Sequence, residues 1–236
     1  MLTVGTRSPS RRGVDTRRIA VAWALLGPTL RVLPWVPLIA CMAVGLALVG
    51  APAAASVELA ATDTLMLVRL AAVTGAIGVA FVLTDPAHRT VAALPTPRLL
   101  RHAVRVAVPL PGLAAWWCAV LAIATAHSPE PARAVVRPGA LTLELGALVA
   151  VAAAAGALGV RLEADGNPGV IAAPSVLVLV AAARVTPGTA ALFVSPADPR
   201  WHDGHVIWTV VLVAGAVLFL TLGNQSAGRP AAVGGR

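Results

Sequence analysis

Lysine is missing from this 236-residue chain, whose 18 basic residues are all arginine. Without a lysine the chain cannot supply the amine of a G-x-x-x-x-G-K-[ST] phosphate loop, and no such loop occurs, so ATP hydrolysis would have to be done by another chain. Charge of either sign is scarce: 12% of residues are charged and 58% hydrophobic, for a mean hydropathy of +0.84. That balance excludes a soluble helical protein, in which most helices need a polar face. The histidines, at positions 88, 102, 127, 202 and 205, form no H-E-x-x-H zinc pattern, and Ser175 has no recognisable base beside it. The two cysteines, Cys41 and Cys118, both fall in apolar runs and read as small buried side chains rather than as a disulfide or a metal site. No cleavable secretory leader is expected either, because the apolar stretch after the basic N-terminus is too long for a leader's core and lacks a small-residue cleavage site.

What the chain has in abundance is Ala, Val and Leu in runs of about twenty residues, the length that crosses a bilayer. The expected fold is an all-α integral membrane protein. Residues 1–33 read as a cytoplasmic tail followed by an interfacial helix over 19–33, broken near Gly27 and Pro28, with Trp23 at the interface. Six transmembrane helices follow within residues 34–222, near 34–53, 63–84, 105–126, 139–159, 168–186 and 204–222, and residues 223–236 form a cytoplasmic C-terminal tail. Pro109 and Pro111 should bend the first turns of the third. With both termini inside, the internal segments carry 13 of the 18 arginines, which fixes the expected orientation. The net charge of +8 then reports orientation and contact with anionic lipid head groups rather than nucleic acid.

Three places hold the remaining polarity. Arg69 and Glu144 each lie about six residues, roughly 9 Å, inside their expected crossings from the external side. A charge at that depth is costly alone, so the two are expected to pair or to share a polar cavity; the alternatives are that Arg69 snorkels outward while Glu144 is protonated or wet, or direct contact with substrate. WHDGH at 201–205 offers His202, Asp203 and His205 as ligands for a metal at an external mouth, against a plain solvated interfacial loop. Residues 85–105, DPAHRTVAALPTPRLLRHAVR, are the most basic interruption of the apolar sequence. Ala87 to Leu94 can form a short helix, with Pro95 and Pro97 closing it and Arg98, Arg101, His102 and Arg105 leading into the third crossing. This is either an ordinary positive-inside loop or an element that a soluble partner can grip.

The lead-in at 11–33 and FVLTDPAHRTVAALPTPRLLRHAVRVAVPLPGLAAWW at 81–117 resemble an actinobacterial ABC transporter permease subunit of the ABC-2-like class. LTLELGALVAVAAAAGALGVRLE at 141–163 and ADPRWHDGHVIWTVVLV at 197–213 carry the resemblance further. It implies two permease subunits, identical or homologous, in the bacterial cytoplasmic membrane, with ATP and Mg held by separate ATP-binding subunits. It also implies that the segment between the second and third crossings is a cytoplasmic coupling helix docking on the ATPase, with Pro86, Arg89, Val91 and Leu94 as contacts. The chain departs from familiar exporters of this class in its compact external loops and its lack of a large extracellular domain. Efflux of an amphipathic compound, peptide or lipid is the expected activity, since a nearly apolar helical cavity suits such substrates. A non-transporting membrane scaffold or accessory subunit and an integral membrane enzyme using WHDGH are the other readings.

Overall fold

In a computed structural model, the described residues are 27, 29–84, 98–133, 136–162, 167–186 and 192–224, and all regular structure among them is helical. In chain order the helices are α1 (Trp35–Ala54), α2 (Ala61–Ala80), α3 (Arg98–Ala107), α4 (Leu110–Ala126), the single turn α5 (Glu130–Arg133), α6 (Pro138–Leu162), α7 (Gly169–Val185) and α8 (Trp201–Asn224). Five stretches are long and apolar enough to cross a membrane: α1, α2, the Leu99–Ala126 stretch formed by α3 and α4, α6 and α8. The chain is therefore a helical protein of multi-pass membrane type. The fifth expected crossing, 168–186, corresponds to α7, an apolar helix of 17 residues and about 25 Å at the helical rise.

Every long helix is apolar all round, so hydropathy does not say which of them lies inside. Burial does: 67% of α2's most apolar stretch and 61% of α6's is buried, against 17% for α1 and for α8. α2 and α6 pack against each other at the centre, with α1 and α4 on the α2 side and α7 and α8 on the α6 side. The outer surfaces of α1 and α8 leave Val36, Ile39, Val210, Val213 and Leu218 more than half exposed, as a lipid-facing surface would.

Small residues set the spacing. A Cβ on Gly45 of α1 would stand 2.5 Å from Thr74 Oγ1 and 2.6 Å from a Trp116 ring carbon, so α1, α2 and α4 meet where that side chain is absent. On the other side, a Cβ on Gly215 of α8 would lie 3.0 Å from both the carbonyl carbon and the Cβ of Ala150 in α6, which makes this a backbone-to-backbone approach. Indole N–H groups tie the layers further. Trp116 donates to the Met42 carbonyl oxygen (2.7 Å), Trp117 to Thr142 Oγ1 (3.0 Å) and Trp208 to the Leu192 carbonyl oxygen (3.0 Å).

The directions of the helices follow from their contacts. Arg69 meets Glu144 near the starts of α2 and α6, and Gly156 faces Leu83 near their ends, so α2 and α6 run parallel. Glu144 approaches His205, Gly215 meets Ala150, and Arg161 donates to the Leu222 carbonyl, so α8 runs parallel to α6. α2, α6 and α8 all begin at one end of the bundle, and the intervening helices return the chain to it. At the opposite end two guanidinium groups sit on carbonyls: Arg105 donates at 3.1 Å to Thr84 O, just past the turn that follows α2, and Arg161 caps α8 at Leu222. Cations favour the C-terminal end of a helix dipole.

Two boundaries differ from the expectations. The third expected crossing, 105–126, is two helices, because Pro109 and Pro111, on either side of Leu110, each lack an N–H donor and the ladder breaks between Ala107 and Leu110. The amphipathic α3 before the break packs against α8. WHDGH is not a loop: it forms the first turns of α8. Of the expected interfacial helix 19–33, only residue 27 and residues 29–33 are described; 29–32 are helical, and the Leu30 carbonyl accepts a 2.7 Å bond from the Trp35 indole.

Replacing Gly215 by Val should push α8 off α6 and cost about 1–3 kcal/mol, the usual range for overpacking. Gly50 of α1, with nothing within 4 Å of an added Cβ, should accept Ala within about 0.5 kcal/mol. Chemical unfolding of both variants in lipid nanodiscs checks the pair, and equal stabilities would contradict the close α6–α8 approach.

Candidate functional site

The end of the bundle where α2, α6 and α8 begin holds the one buried charge cluster among the described residues. Arg69 lies two turns into α2, and Glu144 lies less than two turns into α6. Arg69 Nε donates to Glu144 Oε2 at 2.9 Å and Nη2 to Oε1 at 2.8 Å, a fork-on-carboxylate geometry that lysine could not reproduce. The Glu144 side chain is 2% exposed and that of Arg69 9%. At such burial the ions repay their desolvation only if the remaining hydrogen-bonding capacity is used. Arg69 Nη2 also donates to the Val194 carbonyl oxygen at 2.9 Å, so the guanidinium fastens the segment before α8 onto α2 and α6.

Aromatic rings close the site. The Arg69 guanidinium lies 5.1 Å from the Phe193 ring centroid and 6.0 Å from that of Trp201, within cation–π range. Arg184, from the last turn of α7, stands 5.5 Å from Phe193, and Arg137, just before α6, stands 5.6 Å from Trp201. Phe193 in turn packs on Trp208, with centroids 5.4 Å apart. His205, one turn into α8, contributes the last polar group. Its ring lies 4.1 Å from that of Trp201, Nδ1 is 2.8 Å from the Trp201 carbonyl oxygen, and Nε2 is 3.5 Å from Glu144 Oε1.

Asp198 and Arg200 shape the entry to α8. Asp198 Oδ1 accepts from the Arg200 backbone N–H and from Arg200 Nε, both at 2.9 Å, and Oδ2 accepts from Nη2 at 2.6 Å. This side-chain-closed turn directs the chain into the helix at Trp201. The Arg200 bonds pull the Asp198 carboxyl down from 3.8 to about 2. A carboxyl held below its unfolded value stabilises the turn above that value and loses the contribution as pH falls through the folded one. Acidification from pH 7 to about 5 should therefore leave the turn intact, with release only near pH 2. The Asp198 carboxyl signal in ¹³C NMR tests this; titration near pH 4 would contradict it.

Of the residues singled out in the sequence, Arg69 and Glu144 are brought into direct contact. His202 and Asp203 are exposed on α8 while His205 turns inward, so WHDGH is split between two faces. Among the described residues, no group of three or more His, Cys, Asp or Glu side chains could hold a metal ion. The Ser175 hydroxyl donates to Ile171 O in its own helix at 2.8 Å. Pro86, Arg89, Val91 and Leu94 lie outside the described residues. Sequence reasoning did not place His205 with the pair or find the Val194 carbonyl. The spacing of His205 from Trp201, one turn apart in a helix that begins at 201, was the available signal for the first. No family model matches this chain, nor does any curated protein or solved structure.

Breaking the pair from one side should be far worse than removing it. Arg69→Met or Glu144→Leu alone leaves an uncompensated buried charge and should cost about 3–5 kcal/mol, while the double replacement should recover most of that loss. A double-mutant cycle on unfolding in nanodiscs measures it, and additive single effects would show that the two groups are not coupled.

Proposed function

We propose that this chain is a membrane-spanning permease subunit of an ABC transporter, crossing the bacterial cytoplasmic membrane six times with both termini on the cytoplasmic side. Hydrolysis of ATP belongs to a separate subunit, and the transported species is an amphipathic compound, peptide or lipid moved outward. The observation that carries the reading is the placement of the residues that flank and end the basic interruption 85–105. Thr84, four residues past the end of α2, and the start of α3 at Arg98 lie at the end of the bundle opposite the buried ion pair, where Arg105 of α3 donates to the Thr84 carbonyl oxygen. A partner acting on that segment has a covalent connection to α2, one of the two central helices, and to α3, which packs on α8.

Two further features support the arrangement. The parallel course of α2, α6 and α8 requires the chain to come back between each of them, and α4 and α7 supply the returns. The 17 residues of α7 give about 25 Å, short of an average hydrocarbon core by an amount that local thinning or flanking residues accommodate. The arginine asymmetry of the sequence places the ion-pair end outside and the α3 end inside. Pro86, Arg89, Val91 and Leu94 are the proposed ATPase contacts, and a second permease chain, identical or homologous, completes the transporter.

Affinity purification of the full chain from its native membranes should bring down an ATP-binding subunit whose hydrolysis is retained in proteoliposomes. The combined replacement Arg89→Ala, Val91→Asp and Leu94→Asp should remove that subunit while membrane insertion and the amount of permease are unchanged. An ATPase that stays bound to the triple variant at wild-type turnover would overturn the coupling assignment.

A further inference from the structure

His205 is poised in a way that its hydrogen bonds do not satisfy in the neutral state. A carbonyl oxygen only accepts, so the 2.8 Å contact with Trp201 O requires the hydrogen on Nδ1. In a neutral imidazole this leaves Nε2 as a bare lone pair. Nε2 is enclosed and has no hydrogen-bond partner among the described atoms, and what it faces, at 3.5 Å, is Glu144 Oε1. That oxygen is an acceptor too, since both Glu144 oxygens take N–H bonds from Arg69, the pattern of an ionised carboxylate. Two acceptors therefore confront each other in a buried site, an arrangement that a single proton on Nε2 converts into a charge-assisted hydrogen bond.

We infer that His205 and Glu144 form a binding site for one proton, taken from the aqueous phase at the end where α2, α6 and α8 begin, and that its uptake ties the first turns of α8 to α6. An O–H bond of hydronium breaks as the N–H bond forms on the Nε2 lone pair, leaving water and an imidazolium, and release reverses the exchange. All the elements packed around the ring contribute. Glu144 from α6 and the Trp201 ring, tilted by 39° with its centroid 4.1 Å away, favour the imidazolium. Arg69 from α2, Arg137 beside Trp201 and the N-terminal end of α8 oppose it. Arg184 sits on the far ring, Phe193; Asp198 and Arg200 are paired with each other; His202 and Asp203 on the same helix are exposed. Asp198 stays ionised down to about 2, so the turn that leads into α8 does not itself respond in the range where histidine titrates.

The inference does not depend on the transport reading, and its test needs no substrate. The full chain, with ¹⁵N-labelled histidine, is placed in lipid nanodiscs and its ring nitrogens are followed by NMR from about pH 5 to about pH 8, a span that brackets ordinary histidine ionisation. The His205 signals are assigned by their loss in His205→Gln. If that variant does not fold, a chain in which the other four histidines are Gln isolates the same ring. Both ring nitrogens should carry hydrogen at about pH 5, and a ring that keeps both at the upper end of the range supports the site equally. A neutral ring at about pH 5, in either tautomer, overturns it.

Discussion

The fork of Arg69 on Glu144 is the constraint on which the remaining packing depends. Among the described residues it is the one interaction that links the two central helices through charge, and its burial makes slippage of either helix expensive. Moving α2 along α6 by one residue, about 1.5 Å, would pull the N–H groups out of bonding distance of a carboxylate whose other polar neighbour among the described residues is His205. The third guanidinium bond, to Val194 O, extends the same restraint to the segment before α8. One side chain thus fixes the register of α2 on α6 and the closure of the 192–200 segment over both.

The two ends of the bundle are held by different physics. At the ion-pair end the links are buried, bidentate and framed by Phe193 and Trp201. At the α3 end they are arginine-to-carbonyl bonds: Arg161 to the end of α8, on an exposed side chain, and Arg105 to Thr84, which is only part-buried. Exposed charged contacts are weakened by water and salt and contribute little each. The mid-bundle contacts, by contrast, are small-residue approaches such as Gly215 on Ala150, which resist compression and allow little lateral play.

Much of this was legible in the sequence because membrane-length apolar runs leave few alternatives. The expected crossings near 34–53, 139–159 and 168–186 coincide within a few residues with α1, α6 and α7. Arg69 and Glu144 could be set at one depth because a charge inside an apolar run demands a partner, and few are available. The identity of the central helices was not legible: all the long helices are apolar on every face, and the distinction rests on Gly and Ala positions in a chain where such residues are everywhere. The Val194 carbonyl could not be read either, since every residue offers such an acceptor. His205 was missed because WHDGH, with two histidines and an aspartate, looks like solvated loop until the Asp198–Arg200 turn is known to start the helix at Trp201. The break between α3 and α4 was anticipated as a bend, but two prolines in three residues end the helix instead.

The unequal ends bear on how a force entering at the α3 end would travel. A load on the chain between Thr84 and Arg98 acts on the last turn of α2 and on α3, and α3 transmits it to α8 through the close contact of Leu99 with Gly223. The bonds nearest the load, Arg105 to Thr84 and Arg161 to Leu222, are the ones that give at least cost. Those farthest from it, around Arg69 and Glu144, are the most expensive to disturb. Under such a load, displacement would be greatest at the α3 end and least at the ion pair, and the bundle would pivot about its charged end instead of sliding as a block. The state of His205 bears on the stiffness of that pivot, because its ring is the only polar group of α8 that reaches the pair among the described residues.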